Sequence, residues 1–221
     1  MSSRPDPSPG TSPEMSMAQR KRQLVCDELT SAALQLLVLK GFDVVTIDEI
    51  VAAAGVSRRT FFRYFASKED VVVQFLADMG AGMREELAER PAEERPSQAL
   101  LHAVSVPIAA CGDQSERALR VVQLILRTPA LLARFLERQE HWRDELTVEL
   151  ARRLDLDPDT DLYPRLAAGM ALTVINTVLQ RWSDSEGAED LMELIDRAFA
   201  VIAPALDADK RKSPRARSGR D

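Results

Sequence analysis

The 221-residue sequence predicts an all-α protein of about nine helices, three in a small N-terminal head and six in a body behind it. Apolar residues recur at three- and four-residue spacing through most of the chain, the period of an amphipathic helix. No segment sustains the period-2 alternation of a half-buried strand between turn residues. Ser, Thr, Asp, Gly and Pro punctuate the ends of the periodic stretches, where helices are capped and stopped.

The first helix runs from about Met17 to Lys40, with Val25, Leu29, Ala32, Ala33, Leu36 and Leu37 inward, and Gly41 stops it. Thr46 and Glu49 form a capping box that opens the second helix. Ile47, Ile50, Val51 and Ala54 give that helix a buried stripe. Gly55 sits where the backbone needs positive φ, and Val56 packs between the second and third helices. Ser57 caps the third helix. Phe61 and Phe65, four apart, share its inward face. Ser67 and Asp70 make a second capping box, so a fourth helix starts near Lys68 and runs toward Glu89.

The fourth helix carries Gly80 and Gly82, each costing roughly 1 kcal/mol relative to Ala. They either soften the rod joining head and body or permit close packing. Residues 90–96 read as a linker between Arg90 and Pro96. A fifth helix covers about Ser97–Cys111, with Pro107 as a bend. Asp113 and Glu116 cap a sixth, which ends at Thr128. Pro129 opens a seventh that reaches about Leu154. The eighth is expected over about Asp161–Trp182, and the ninth over about Glu186–Ile202, stopped before Pro204.

The third helix carries chemistry as well as packing. Four of the chain's eleven aromatic residues, Phe61, Phe62, Tyr64 and Phe65, fall within five positions. With Phe61 and Phe65 inward, Arg58, Arg59, Thr60, Phe62, Arg63 and Tyr64 remain on the other faces. Two short helices around a tight turn, the second basic and aromatic outside, suit a helix-turn-helix. Such a motif sets the start of its second helix against base edges while flanking groups hold phosphates. A plain helical hairpin in a bundle would leave the three arginines and the exposed aromatics unexplained.

Residues from about Arg20 to Met83 resemble the DNA-binding domain of the TetR family of bacterial transcriptional regulators, in its actinobacterial form. The match is contiguous and ungapped. It runs through Lys40-Gly41-Phe42, the Thr46 start, the Ala-Ala-Gly-Val turn, Thr60-Phe61-Phe62-Arg63-Tyr64-Phe65 and Lys68-Glu69-Asp70. The resemblance implies DNA contacts from Thr46, Ser57, Arg58, Arg59, Thr60, Phe62, Arg63, Tyr64 and Lys68. In it, Arg58, Arg59 and Thr60 read bases, whereas Lys68 and Thr46 grip phosphates. Position 62 is often Tyr in similar proteins, so Phe62 packs on sugar or a thymine methyl rather than donating to phosphate. Position 59 is more often small or Pro, so Arg59 adds a base or phosphate contact of its own.

The net charge of −6 does not oppose this reading once it is partitioned. Residues 19–68 hold eight basic and five acidic residues, a local +3, while residues 69–206 hold 14 Arg and 25 acids, a local −11. Binding follows the local field. The Ser/Pro-rich start has no apolar core, so it is no signal peptide, and residues 1–17 read as a disordered tail. Residues 207–221, with six basic side chains, read as a second, basic tail. No apolar run reaches the roughly 18–20 residues of a membrane span. Cys26 and Cys111 suggest buried small hydrophobes in a reducing cytoplasm.

No H-E-x-x-H, paired-cysteine, G-x-S-x-G or phosphate-loop pattern occurs, and Gly80-Ala81-Gly82 is not a phosphate loop. The sequence therefore predicts no enzyme, no catalytic residue, no metal and no cofactor. The expected layout is a helix-turn-helix domain over residues 18–83, with its motif at 46–65, and a regulatory domain over 84–206.

In the regulatory half, Leu166–Leu179 is apolar nearly all round and must be buried on several sides. Ala167, Gly169 and Met170 with Leu191, Leu194, Ile195 and Phe199 are the expected homodimer interface, a four-helix arrangement that similar family members use. A helix-turn-helix reader needs such a pair to span half-sites about 34–36 Å apart. The resemblance also implies a small molecule among the fourth to eighth helices. Polar groups within apolar helices, His102, Arg120, Gln123, Trp142, Thr173 and Asn176, are the candidate contacts. Walls of Leu, Val and Met favour a lipophilic effector. The regulatory half resembles actinobacterial regulators of lipid and cofactor metabolism, some of which respond to acyl thioesters. The expected function is a repressor bound to double-stranded operator DNA and released by that effector. The alternative is a helical adaptor without DNA readout.

Overall fold

The computed structural model describes residues 16–109 and 115–208. Nine helices account for the secondary structure among these residues: α1 (Met17–Lys40), α2 (Ile47–Ala53), α3 (Arg58–Tyr64), α4 (Lys68–Glu89), α5 (Pro96–Ala109), α6 (Ser115–Arg127), α7 (Pro129–Leu154), α8 (Leu162–Asp184) and α9 (Leu191–Leu206). Cys111, the expected cap at Asp113, most of the N-terminal tail and nearly all of the basic tail lie outside the described residues. Ser16 is not tail: it caps α1 through a reciprocal box with Gln19.

Helices α1 to α3 form the head. Leu29, Ala33 and Leu37 of α1 are buried with Ile50, Phe61 and Val71. Gly41 and Gly55 take positive φ, +89° and +65°, and so end α1 and turn α2 into α3. α4 leaves the head and enters the body as one continuous helix, packed along α7 and α5. The body core is built from Met83 and Leu87 of α4, Leu100 and Val104 of α5, Leu146 and Leu150 of α7, and Ala168 and Ile175 of α8. Among the described residues, α8 alone is long and apolar enough to cross a membrane. Here it is the central body helix, flanked by α5, α6, α7 and α9.

Two expected boundaries shift. The ninth helix starts at Leu191, not Glu186, because the chain turns first. Glu186 and Gly187 have positive φ, Gly187 N donates to Trp182 O at 3.0 Å, and Asp190 caps α9 by accepting from Glu193 N at 2.8 Å. Nor does Pro204 stop α9. That late in the helix it removes only the bond to the carbonyl of the exposed Ala200. The last turn is closed by Asp207 N on Ala203 O at 2.8 Å and by the Tyr163 hydroxyl on Leu206 O. The Asp207 carboxylate then accepts from Ser97 N at 3.0 Å and Ser97 Oγ at 2.7 Å, so the end of α9 caps the start of α5.

Candidate nucleic-acid interface

The α2–α3 unit is fixed by its caps before any side chain faces outward. Thr46 Oγ1 accepts from Glu49 N at 3.3 Å, and Glu49 Oε2 accepts from Thr46 N at 3.0 Å. Lys40 Nζ donates to the other carboxylate oxygen at 2.7 Å, tying the end of α1 to the start of α2. That lysine first, and then Thr46, hold the Glu49 carboxyl down at about 2. Ser57 Oγ accepts from Thr60 N at 3.1 Å and lies 3.0 Å from Thr60 Oγ1. Phe61 is fully buried and stacks at a tilt with Phe65, 5.6 Å between centroids. Burial of Phe61 and Phe65 leaves the other side of a seven-residue helix no choice but solvent.

On that side Arg58, Arg59, Phe62 and Arg63 are exposed, with Phe62 at 48%. Arg58 Nη1 donates to both oxygens of Asp48 at 2.9 Å, and its Cζ lies 5.7 Å from the Phe62 ring centroid. Tyr64 is half-buried and flanked by two guanidinium groups, Arg63 at 5.0 Å and Arg22 at 5.9 Å. The basic start of α1 thereby joins the face of α3.

Two expected phosphate grips are otherwise employed. Lys68 Nζ donates to the carbonyls of Phe42 and Val45, the latter at 3.1 Å, and sits 4.4 Å from the Phe42 ring centroid. Two of its three protons are spent closing the α1–α2 turn. The Thr46 hydroxyl gives its proton to Glu49 Oε2 at 3.2 Å. Sequence reasoning missed the partners of these groups: Asp48 for Arg58, Arg22 for Tyr64, and the Phe42 and Val45 carbonyls for Lys68. For Asp48 the signal was there, since α2 is only seven residues long and a long arginine at the start of α3 can reach back along it to an acid in its first turn.

The expected dimer residues divide. Ala167, Leu194, Ile195 and Phe199 are buried within a single chain, between α8, α9 and α5. Most of the apolar stripe of α9 is buried by the protomer itself. Gly169 and Met170 instead line an outward, largely apolar groove with Leu166, Thr173, Val201 and Ile202, about 690 Å³ in volume. Leu191 is half-buried and lies away from that groove, on the α6 side of the body with Ala118 and Leu119.

The six candidate ligand contacts do not converge. His102 is exposed with Nε2 3.6 Å from Glu94, and Arg120 is paired to Glu116 on the surface. Gln123 donates to Ser183 O at 3.3 Å. Thr173 bonds its own helix at Gly169 O, 2.8 Å, in the outward groove. Asn176 lines a separate surface hollow with Arg181 and Glu189. Trp142 alone is buried in the body, its Nε1 without a partner. Helical periodicity identified polar residues on apolar helices but not which neighbour each one faces.

Residues 29–75 match the profile described as bacterial regulatory proteins, tetR family, and residues 94–207 match that of the MftR C-terminal domain. The chain is 31% identical over 205 residues to the HTH-type transcriptional regulator TcmR of Streptomyces glaucescens, covering 89% of this chain and 90% of that protein. It is 30% identical over 201 residues to MftR of Mycobacterium tuberculosis, named as a mycofactocin biosynthesis transcriptional regulator, covering 88% of this chain and 98% of that one. In fold it is similar to the transcriptional regulator FadR from Bacillus subtilis in complex with stearoyl-CoA. That structure has a TM-score of 0.59 and 21% identity, covering 80% of this chain and 97% of that one.

Proposed function

The chain belongs to the TetR family of bacterial transcriptional regulators, and we propose that it acts there as a homodimeric cytoplasmic repressor released from its operator by a small lipophilic effector. The observation that carries the DNA half of this reading is the outward face of α3. Three arginines and a half-exposed phenyl ring stand toward solvent rather than in the core, and the caps hold the helix that carries them in one place. On this reading Arg58, Arg59 and Thr60 meet base edges. Arg63 and the Arg22–Tyr64 pair meet the backbone, with Lys68 left one free proton for a phosphate. Ser57 serves by capping.

Two heads are needed to span two half-sites. The outward groove of α8 and α9 is the surface we assign to the second copy. Its exposed Leu166 and Val201, at 55% and 78%, form an apolar strip of the kind that marks an interface. The acyl-CoA in the Bacillus subtilis structure supports a thioester of a long acyl chain as the effector class. An effector releases DNA only by binding the DNA-unfit state better.

A mobility shift on DNA upstream of the protein's own gene, repeated across salt concentrations, tests the reading. Retarded complex that weakens with salt and dissolves on adding stearoyl-CoA, but not CoA alone, is expected. No shift on any upstream fragment overturns the regulator as proposed. A shift untouched by acyl-CoAs of any length overturns the effector class alone.

A further inference from the structure

The acid that faces the DNA-reading arginine is an oddity on a surface meant for a polyanion. Asp48 and Arg58 are both more than half exposed, with side chains at 65% and 58%. An exposed pair of this kind adds little to stability. A carboxylate here also repels phosphate. Its geometry gives it a different use. One nitrogen, Nη1, is held by both oxygens of Asp48 at 2.9 Å, and Cζ lies over the Phe62 ring, 5.7 Å from its centroid. A planar fork held at Nη1 has Nη2–H and Nε–H left along its other edge. Those two donors match an edge that offers only acceptors, which in the major groove is guanine O6 and N7.

Resting on the DNA-binding reading above, we propose that Asp48 is a positioning residue for specificity: with Phe62 it orients Arg58 to read one guanine in each half-site. The carboxylate does two things at once. It removes the rotamer freedom that a long arginine would otherwise lose on binding. It also lowers the gain from pairing Arg58 to a phosphate, which carries no sequence information. Asp48 therefore lowers affinity for DNA in general and raises the preference for one base pair. Asp48 stands in the first turn of α2, at the positive end of that helix, where a negative side chain is stabilising.

The test is selection from a pool of randomised duplexes by the full chain, by Asp48→Asn, by Asp48→Glu and by Arg58→Ala, with folding of each checked by circular dichroism. Binding constants are then measured on the best duplex and on its single-pair substitutions. Arg58→Ala is expected to erase a guanine preference at one pair per half-site. Asp48→Asn is expected to reduce that same preference at least about fivefold, the low end of a bidentate contact. It should leave the other pairs unchanged and tighten binding to unrelated DNA. Asp48→Glu, which retains the carboxylate, should retain most of the preference. If Asp48→Asn alters a pair that Arg58→Ala leaves untouched, Asp48 reads a base itself and the positioning role is wrong. It is also wrong if Asp48→Asn tightens all duplexes equally. If the unmodified chain enriches no sequence, the DNA-binding reading falls first.

Discussion

Gly80 of α4 lies directly against the indole edge of Trp142 of α7. A methyl group at residue 80 would overlap Nε1 and Cδ1 of the ring, so the hydrogen of glycine is what lets the two helices meet. The ring is 2% exposed and stands edge-on to Phe135, with centroids 5.9 Å apart. Gly82 differs. A Cβ there would come 3.2 Å from Val106 Cγ1, which needs only a small adjustment. Of the two uses that a glycine in α4 suggests, compliance and close packing, the structure supports packing at Gly80.

Gly80→Ala should therefore destabilise the protein by about 1–3 kcal/mol, the usual cost of overpacking a core. Gly82→Ala should be near neutral, because the helix-propensity gain of up to about 1 kcal/mol offsets the shift at Val106. Urea unfolding of the two variants measures the difference. Trp142→Phe should recover part of the Gly80→Ala loss, since a smaller ring vacates the space and Nε1 gives up no hydrogen bond. Equal midpoints for the two glycine variants would refute the packing account.

The start of α2 should be sensitive to acid. Glu49 is held at about 2 by Lys40 and then Thr46, below the ordinary carboxylate value near 4.3. A depressed carboxylate contributes stability that is present above its unfolded value and is lost as pH falls toward its folded one. Amide exchange at residues 46–53 should quicken relative to the α7 core as pH falls from about 5 to about 2, once the intrinsic pH dependence is removed. Glu49→Gln should flatten that trend. An unchanged pH profile in Glu49→Gln would place the sensitivity elsewhere.

What the sequence made legible follows from what is local. The caps at Thr46, Ser57 and Ser67, the positive φ at Gly55 and the inward pair Phe61 and Phe65 each depend on residues within one turn. The outward residues of α3 were therefore legible too. Partners across space were not. The apolar stripe of α9 says that Leu194 and Phe199 are buried, but not whether by this chain or a second one. The six polar candidates for a ligand lie apart for the same reason: periodicity places a residue on a helix face but does not name its neighbour across space. Pro204 misled because a proline's cost depends on which carbonyl it abandons.

Dimerisation should separate Leu166 of α8 from Leu194 of α9. Leu166→Asp places a charge on the outward groove, where the lone protomer leaves it in water. It should yield a folded monomer. Leu194→Asp places a charge in the protomer core, at 5% exposure, and should unfold the body, because an unpaired buried charge is strongly unfavourable. Light scattering with circular dichroism distinguishes them. A dimeric Leu166→Asp protein at micromolar concentration would move the interface away from the groove.

Arg59 and Lys68 should part company on DNA. Arg59 is exposed on α3 in the turn proposed to meet bases, so Arg59→Ala should cost about 1–3 kcal/mol on the preferred duplex if it reads a base. If it holds a phosphate instead, the loss is spread over all sequences and the salt slope falls by about one unit. Lys68 is half-buried, and its ammonium joins two carbonyls of the α1–α2 turn as well as any phosphate. Lys68→Ala should thus weaken all sequences alike and also lower the melting temperature of the head, leaving the buried Phe42 carbonyl without its donor. Titrations at several salt concentrations, beside thermal unfolding of each variant, read both effects. A Lys68→Ala protein with unchanged stability and an altered base preference would reverse the division of roles.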